Sequence, residues 1–219
     1  MPKLSATQSS THAHQFDDAA QQRDAATFGM WVFLATEVLF FGGMFLGYTA
    51  YRLAYPAAFA EASHHTLIAF GGTNTAVLLI SSATMAFAVR AASEKRRTAL
   101  VLRLFATAAL GVLFLGIKGC KYAREISEHL LPGSAFQFPQ PYATHAQMFF
   151  YLYFLMTGVH ALHVTIGVIL IAMFGFRAWR TDAFTRHDTA VDLLGLYWHF
   201  VDIVWVFLFP LIYLVGRHS

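Results

Sequence analysis

The amino-acid sequence predicts an all-α integral membrane protein, a bundle of five transmembrane helices. Of the 219 residues, 57% are hydrophobic and 12% are charged, about half the charge of an average soluble domain. Long apolar runs cause this bias, and each can cross the ~30 Å hydrocarbon layer as a helix. None shows the alternation of a barrel strand, so helices are the only spanning structure that fits.

The five predicted helices lie near residues 28–51, 66–89, 98–117, 148–174 and 191–215. The first reads FGMWVFLATEVLFFGGMFLGYTAY, which spans about 36 Å as a helix and favours a tilted crossing. A short charged hairpin, Glu94–Arg97, separates the second helix from the third. The longest connection runs from Tyr122 to Thr144 and carries Pro132, Pro139 and Pro141. We expect it to cap one face of the bundle or contact a partner.

Residues 1–26 are polar and lack the apolar core and cleavage site of a secretory signal, so we predict a retained, flexible tail. No repeat or Pro- and Ser-rich linker divides the rest, so residues 27–219 are predicted to form a single transmembrane domain. Most of the 15 Lys and Arg residues fall on the side of the N-terminus. The positive-inside rule therefore predicts an N-terminus inside and a C-terminus outside.

Charge and cysteine content narrow the possible partners. A net charge of +3 and a pI near 9.1 are compatible with nucleic acid binding, but the basic residues cluster at predicted helix ends, where anionic lipid headgroups lie. Membrane lipids, and not nucleic acid, are the predicted partner. Cys120 is the single cysteine, which predicts a buried structural thiol and neither a disulfide nor a thiolate metal site.

Five ionisable residues are predicted to lie near the bilayer midplane, where such groups are costly and therefore need a reason. Glu37 lies near the middle of the first run, His160 and His163 lie in the fourth, and His199 and Asp202 lie in the fifth. Each pair is spaced by three residues and so shares one side of its helix. All five lie within roughly 6 Å of the midplane, and we expect them to form one buried polar centre.

Three interpretations of this centre stay open. A hydrogen-bonded network of carboxyl and imidazole groups would tie the helices together. Metal or haem ligation would use the same groups, although a di-iron site needs Glu-x-x-His on two helices, and these runs offer His-x-x-His and His-x-x-Asp. A proton-handling role would use Glu37 as the proton carrier. Small polar residues that could extend a proton path are Thr36, Ser81, Ser82 and Thr84.

Three motifs resemble subunit III of the haem-copper cytochrome c oxidases. WVFLATEVLFFGGMF contains Glu37, TGVHALHVTIG contains both histidines of the fourth run, and GLYWHFVDIVWVFLFPLIYL contains the His-x-x-Asp pair. They occur in the family's order, and TNTAVLLISSATMAFA at residues 73–88 adds a fourth stretch. The resemblance therefore covers the chain from about residue 28 to 213, in the short, five-helix form of the family.

The resemblance implies an accessory subunit without haem, copper or a catalytic residue of its own. It would pack mainly against subunit I, and also against subunit II, of an oxygen-reducing, proton-pumping enzyme in a bacterial plasma membrane. These partners would hold the haem and copper, phospholipid would be bound, and the oxidase could join a larger respiratory supercomplex. The family's counterpart of Glu37 is a carbodiimide-reactive carboxyl, and the subunit supports proton uptake and protects the catalytic centre during turnover.

Other functions remain open alternatives at this point. Quinol oxidases and nitric oxide reductase-associated proteins carry related five-helix subunits. A stand-alone intramembrane haem or metal protein would use His160, His163 and His199 as ligands. A transporter would use Glu37 as its coupling carboxyl, but no inverted repeat or pair of broken helices supports it.

Overall fold

The computed structural model describes residues 18–64, 68–134, 136–181 and 189–213 of the chain. In these residues the protein is all-helical, and its helices are α1 (Ala19–Ala54), α2 (Pro56–His64), α3 (Ile68–Ser93), α4 (Arg97–Ser127), α5 (Ala143–Arg180) and α6 (Thr189–Tyr213). All except the short α2 are long and apolar enough to cross a membrane. The predicted fold, an all-α bundle with five transmembrane helices, is confirmed. The orientation of the termini stays a prediction.

The first helix begins earlier than its apolar run suggests. Asp18 caps α1, because its side chain accepts a hydrogen bond from the backbone N–H of Gln21 at 2.7 Å. The helix therefore includes the last residues of the predicted polar tail. Residues 1–17 of that tail lie outside the described residues.

The helix α4 continues to Ser127, although its apolar run ends near residue 117. Lys118, Lys121 and Glu125 lie in this extension, and they are only 3%, 5% and 4% exposed. The interpretation that basic residues at helix ends face lipid headgroups is wrong for both lysines, because helical spacing turns them towards α5 and α6. Cys120, predicted to be buried, lies on the exposed side of the same helix.

Four helices form a ring in the order α3, α4, α5, α6, in which each helix contacts two neighbours. The helix α1 packs outside this ring against α5 and α6, and α2 packs mainly against α5. As a result, 56% of the most apolar stretch of α6 is buried but only 11% of that of α1. Most of the surface of α1 is therefore available to lipid or to another protein.

The indole of Trp198 on α6 fills the centre of the ring. A Cβ atom added to Gly111 of α4 would lie 2.9 Å from this indole, and one added to Gly167 of α5 would lie 2.7 Å from it. The indole N–H donates a hydrogen bond to the Ser81 hydroxyl of α3 at 3.0 Å. One side chain thus contacts all three other helices of the ring, and two glycines make the space for it.

The extension of α4 forms a buried ion cluster with aromatic side chains, which we call the lysine cage. The Lys121 ammonium lies 3.3 Å from a Glu125 oxygen and donates a hydrogen bond to the Tyr213 hydroxyl at 2.7 Å. The Lys118 ammonium donates to the Tyr153 hydroxyl at 3.3 Å. Both ammonium groups also face aromatic rings at 4.0–5.3 Å, those of Tyr122, Tyr153, Trp205 and Tyr213. Cation–π attraction therefore adds to the Glu125 carboxylate in stabilising positive charge in this buried cluster.

Replacing Gly167 with alanine should destabilise the bundle by about 1–3 kcal/mol, because the new methyl group overlaps the Trp198 indole. Gly111→Ala should also destabilise it, since its methyl group overlaps Val168 as well as the indole. The control is Gly116→Ala on α4, where an added Cβ meets nothing within 4 Å. It should be neutral or slightly stabilising, since alanine favours the helix. The measurement is the thermal unfolding midpoint of the purified chain in mild detergent. Equal midpoints for the Gly167→Ala and Gly116→Ala variants would contradict the proposed role of the indole.

Replacing Glu125 alone with Gln should cost about 3–5 kcal/mol, because the buried lysines lose their carboxylate. The triple variant Lys118→Met, Lys121→Met and Glu125→Leu should cost much less, since it removes both lysines and the carboxylate together. Arg124→Gln is the control: its ion pair with Glu128 is exposed and should contribute under about 1 kcal/mol. Unfolding in mixed detergent micelles gives the free energies. A triple variant as unstable as Glu125→Gln would show that packing, and not charge, dominates the cage.

Candidate functional site

Glu37 of the outer helix α1 and His163 of the ring helix α5 form an ion pair or hydrogen bond between the two helices. A Glu37 carboxyl oxygen lies 3.1 Å from Nε2 of His163, and the side chains are 18% and 14% exposed. The other ring nitrogen, Nδ1, lies 2.9 Å from the carbonyl oxygen of Val159, one turn earlier on α5. Because a carbonyl only accepts hydrogen bonds, Nδ1 carries a proton and donates it.

This geometry leaves two arrangements for the proton between the two side chains. Either a protonated Glu37 donates to a neutral imidazole, or an imidazolium ion donates to a Glu37 carboxylate. Both arrangements contain one proton between the carboxyl and Nε2, and both have zero net charge. A proton can therefore pass between the two side chains while the backbone anchor at Val159 stays unchanged.

Apolar side chains position the pair. Leu34, Phe41 and Tyr48 recur every seven residues on α1 and are buried against the ring, so they form a narrow contact stripe next to Glu37. The Phe41 ring packs edge to face with the His163 ring at 5.3 Å. From α6, the Tyr197 hydroxyl donates a hydrogen bond to the His163 carbonyl at 3.0 Å.

The pair lines an open groove of about 690 Å³ between α1, α5 and α6. Apart from Glu37, His163 and Tyr197, its walls are apolar. They are Met30, Phe33, Leu162, Ile166, Leu170, Phe174, Ala190, Leu193 and Leu194. An apolar molecule could thus reach the Glu37 carboxyl from the hydrocarbon phase.

His199 and Asp202 lie on a different side of α6 and face α3. Nδ1 of His199 lies 2.8 Å from the Ser82 hydroxyl. The Asp202 carboxyl is 3% exposed and lies beside Ser82, but its oxygens make no hydrogen bond with the described residues. This group is separate from the Glu37–His163 pair.

His160 occupies a third position and is fully buried. Its ring packs edge to face against Phe114 at 5.7 Å and beside Trp205 at 5.2 Å. Neither ring nitrogen has a hydrogen-bond partner among the described residues. Because Trp205 also faces Lys118, His160 adjoins the lysine cage. The five ionisable residues that were expected to form one polar centre thus lie at three different locations in the bundle.

The small polar residues suggested for a proton path bond elsewhere. Thr36 donates to the carbonyl of Phe33 in its own helix. Ser81 accepts from the Trp198 indole, and Thr84 shares a hydrogen bond with Thr107 of α4 at 2.8 Å. In the described part of the chain, the hydroxyls of Ser81 and Thr84 connect ring helices, that of Thr36 bonds within α1, and none extends from Glu37. The described residues also contain no cluster of three or more His, Cys, Asp or Glu side chains suited to a metal ion.

The lysine cage was not predicted from the sequence, because polar residues were considered only inside the apolar runs. Its sequence signal is the spacing of Lys118, Lys121 and Glu125, which are three and four residues apart. This spacing places them on one face of a helix that extends past the apolar run. These three residues were not identified from the sequence, because charged residues normally mark the end of a membrane helix.

Comparison with known proteins supports the resemblance. The model of the family "Cytochrome c oxidase subunit III" matches residues 8–217. The cytochrome c oxidase subunit 3 of Thermostichus vulcanus is 31% identical, over 92% of this chain and 92% of its own length. That of a Synechocystis species is 32% identical, over 88% and 76%. The cytochrome bo(3) ubiquinol oxidase subunit 3 of Pseudomonas aeruginosa is 27% identical, over 93% and 91%.

The family match spans every helix of the bundle, including the positions of Glu37 and His163. The similar proteins include subunits named for a cytochrome c oxidase and for a ubiquinol oxidase, so the similarity belongs to the subunit and not to one donor. The chain belongs to the cytochrome c oxidase subunit III family, the third subunit of haem-copper oxidases.

Proposed function

We propose that this chain is the accessory, cofactor-free subunit III of a proton-pumping terminal oxidase that transfers electrons from cytochrome c to oxygen. It lies in a bacterial plasma membrane and packs mainly against subunit I, with subunit II as a second partner. Family membership and relatives named cytochrome c oxidase subunit 3 support this proposal. The haem and copper belong to the partner subunits, and this chain stabilises the catalytic subunit.

The Glu37–His163 pair is the observation that carries the role in proton uptake. The pair holds one proton in a hydrogen bond of 3.1 Å, and its net charge stays zero whichever side chain carries the proton. A neutral pair avoids the large cost of an isolated charge in a medium of low dielectric constant. The pair can therefore store a proton at membrane depth. Releasing it leaves one negative charge on the Glu37 carboxylate, so release requires a compensating charge from a partner.

The groove determines how the pair is reached. The hydroxyls of α3 and α4 bond within the ring, so the open side of the pair is the groove between α1, α5 and α6. Apolar carbodiimides dissolve in hydrocarbon and react with protonated carboxyls. They would reach Glu37 by this route.

A quinol oxidase is the second candidate for the complex. The Pseudomonas aeruginosa relative is named a ubiquinol oxidase subunit and is matched over 93% of this chain. In that case the fold and the pair would keep the same roles, and only the electron donor of the partner subunits would differ. Oxidation rates of reduced cytochrome c and of ubiquinol by the purified complex distinguish the two.

Purifying the tagged chain from its native membrane in mild detergent should recover a large haem- and copper-containing subunit with it. After the partners are stripped, the chain should be colourless and free of metal. Visible spectra, metal analysis and partner masses before and after stripping check this. A stripped chain that keeps haem or metal would refute the accessory role and make His160, His163 and His199 ligand candidates.

Replacing Glu37 with Ala should leave the haem content of the complex unchanged. It should accelerate the loss of activity during turnover or change the pH dependence of proton uptake, because the shared proton is lost. Glu61→Gln is the matched control, since Glu61 is an exposed carboxyl on α2. In unfolding experiments, Glu37→Ala and His163→Ala should be non-additive by about 0.5–3 kcal/mol. A Glu37→Ala oxidase identical to wild type in both activity assays would remove the functional role of Glu37.

A further inference from the structure

A second groove lies at the opposite side of α5, between the start of α4 and the end of α5. Its volume is about 770 Å³. Val101, Leu102 and Phe105 of α4 and Phe176 and Trp179 of α5 form its apolar walls. Leu102 is 69% exposed and Trp179 is 61% exposed. The groove is therefore accessible from the lipid phase and independent of the Glu37 site.

Arginine side chains lie at the mouth of this groove. Arg97 reaches from α4 to the end of α5, where its Nε donates to the carbonyl oxygen of Ala178 at 2.9 Å and its Nη2 donates to that of Trp179. An adjoining depression of about 400 Å³ is also lined by Arg97, Thr98 and Leu102, and in addition by Arg96. A depression with two arginines in its lining thus adjoins the apolar groove and shares Arg97, Thr98 and Leu102 with it.

Charge at this end of the bundle strongly favours an anion. The Arg96 side chain is 65% exposed, and its contact with Glu94 is long, at 3.5 Å. Glu94 pairs more closely with Arg90, at 2.7 Å, and this hydrogen bond holds the pKa of the Glu94 carboxyl below its ordinary value. Further cations in the same turn and in the last turn of α5 are Lys95, Arg177 and Arg180.

The backbone adds to this preference. The first turn of α4 contains no acidic residue, and Arg96 at its N-cap makes no side-chain capping hydrogen bond. The positive end of the α4 dipole therefore lies at the arginine-lined depression, and no acidic side chain in the first turn of α4 neutralises it. This effect supplements the arginines.

We propose that this site binds one anionic phospholipid. Its phosphate contacts Arg96, Arg97 and the Thr98 hydroxyl, and one acyl chain lies along Leu102 and Phe105 beside Trp179. From Arg97 to Phe105 the helix rises about 12 Å, close to the ~15 Å depth of one leaflet's hydrocarbon. Basic pockets between transmembrane helices are suited to anionic headgroups. Zwitterionic lipids fit less well because their ammonium group would face the same cations.

The apolar groove beside the arginines favours a lipid over a small anion. Inorganic phosphate could occupy the arginine pocket but would leave the apolar walls uncovered. A bound lipid covers both, and it connects α4 and α5 at the end where Arg97 already bridges them. The occupant should therefore be displaced poorly by free phosphate.

Trp179 is a reporter inside the site. The full-length chain is reconstituted in phosphatidylcholine nanodiscs that contain equal mole fractions of either dibromo-phosphatidylglycerol or dibromo-phosphatidylcholine. Bromine quenches indole fluorescence at short range, and subtracting the signal of a Trp179→Phe variant isolates Trp179. We expect phosphatidylglycerol to quench Trp179 more strongly, and 10 mM inorganic phosphate to leave most of this preference in place.

Arg96→Gln should lower the preference for phosphatidylglycerol about fivefold, as the loss of one cation beside an anionic headgroup predicts. The matched control is Arg124→Gln, an exposed arginine at the other end of α4 that also pairs with a glutamate. It should keep the preference. Equal quenching by both lipids in the wild type, equal loss in both arginine variants, or full displacement by phosphate would each overturn the proposal.

Discussion

The packing of Trp198 at the centre of the four-helix ring is the interaction on which the rest of the structure depends. Its indole occupies the space left by Gly111 and Gly167, and its N–H bonds to Ser81. This fixes the rotation of α6, and therefore the directions of the residues on either side. Tyr197 turns towards α5 and bonds to the carbonyl of His163, whereas His199 turns towards α3 and bonds to Ser82. The outer pair and the inner His199 group are thus positioned by the same side chain.

The polar groups of this bundle are arranged so that most charge is compensated nearby. Glu37 faces an imidazole, and the two buried lysines face a carboxylate and several aromatic rings. In hydrocarbon, the alternative to such partners is an unsatisfied polar group, which is expensive. Asp202 and His160 depart from this pattern, since the described residues offer no hydrogen bond to their side-chain atoms. The Glu125 carboxyl also makes no hydrogen bond with the described residues, but the Lys121 ammonium lies 3.3 Å from one of its oxygens.

The sequence predicted the fold because the hydrophobic length of a membrane helix is a strong, local signal. It also identified Glu37 and His163 individually, since an ionisable residue in an apolar run is conspicuous. Their pairing required the rotation of α1 and α5 about their axes, which sequence spacing does not determine. The division of the five residues among three locations has the same cause, because His160 and His163 are three residues apart yet contact different helices. The lysine cage was missed because charged residues normally end a membrane span, whereas aromatic rings keep Lys118 and Lys121 inside this one.

The geometry of the Glu37–His163 pair also determines how it responds to the membrane potential. The carboxyl and the imidazole belong to neighbouring helices and are 3.1 Å apart, so a proton moving between them is displaced along the membrane normal by no more than this distance. A full charge carried through the membrane gains or loses ~2.3 kcal/mol per 100 mV, but so short a transfer traverses only a small part of the ~30 Å hydrocarbon layer and little of that voltage. The proton distribution within the pair should therefore be nearly the same in an energised and a de-energised membrane. Voltage can act only on the steps that bring the proton to the pair or remove it.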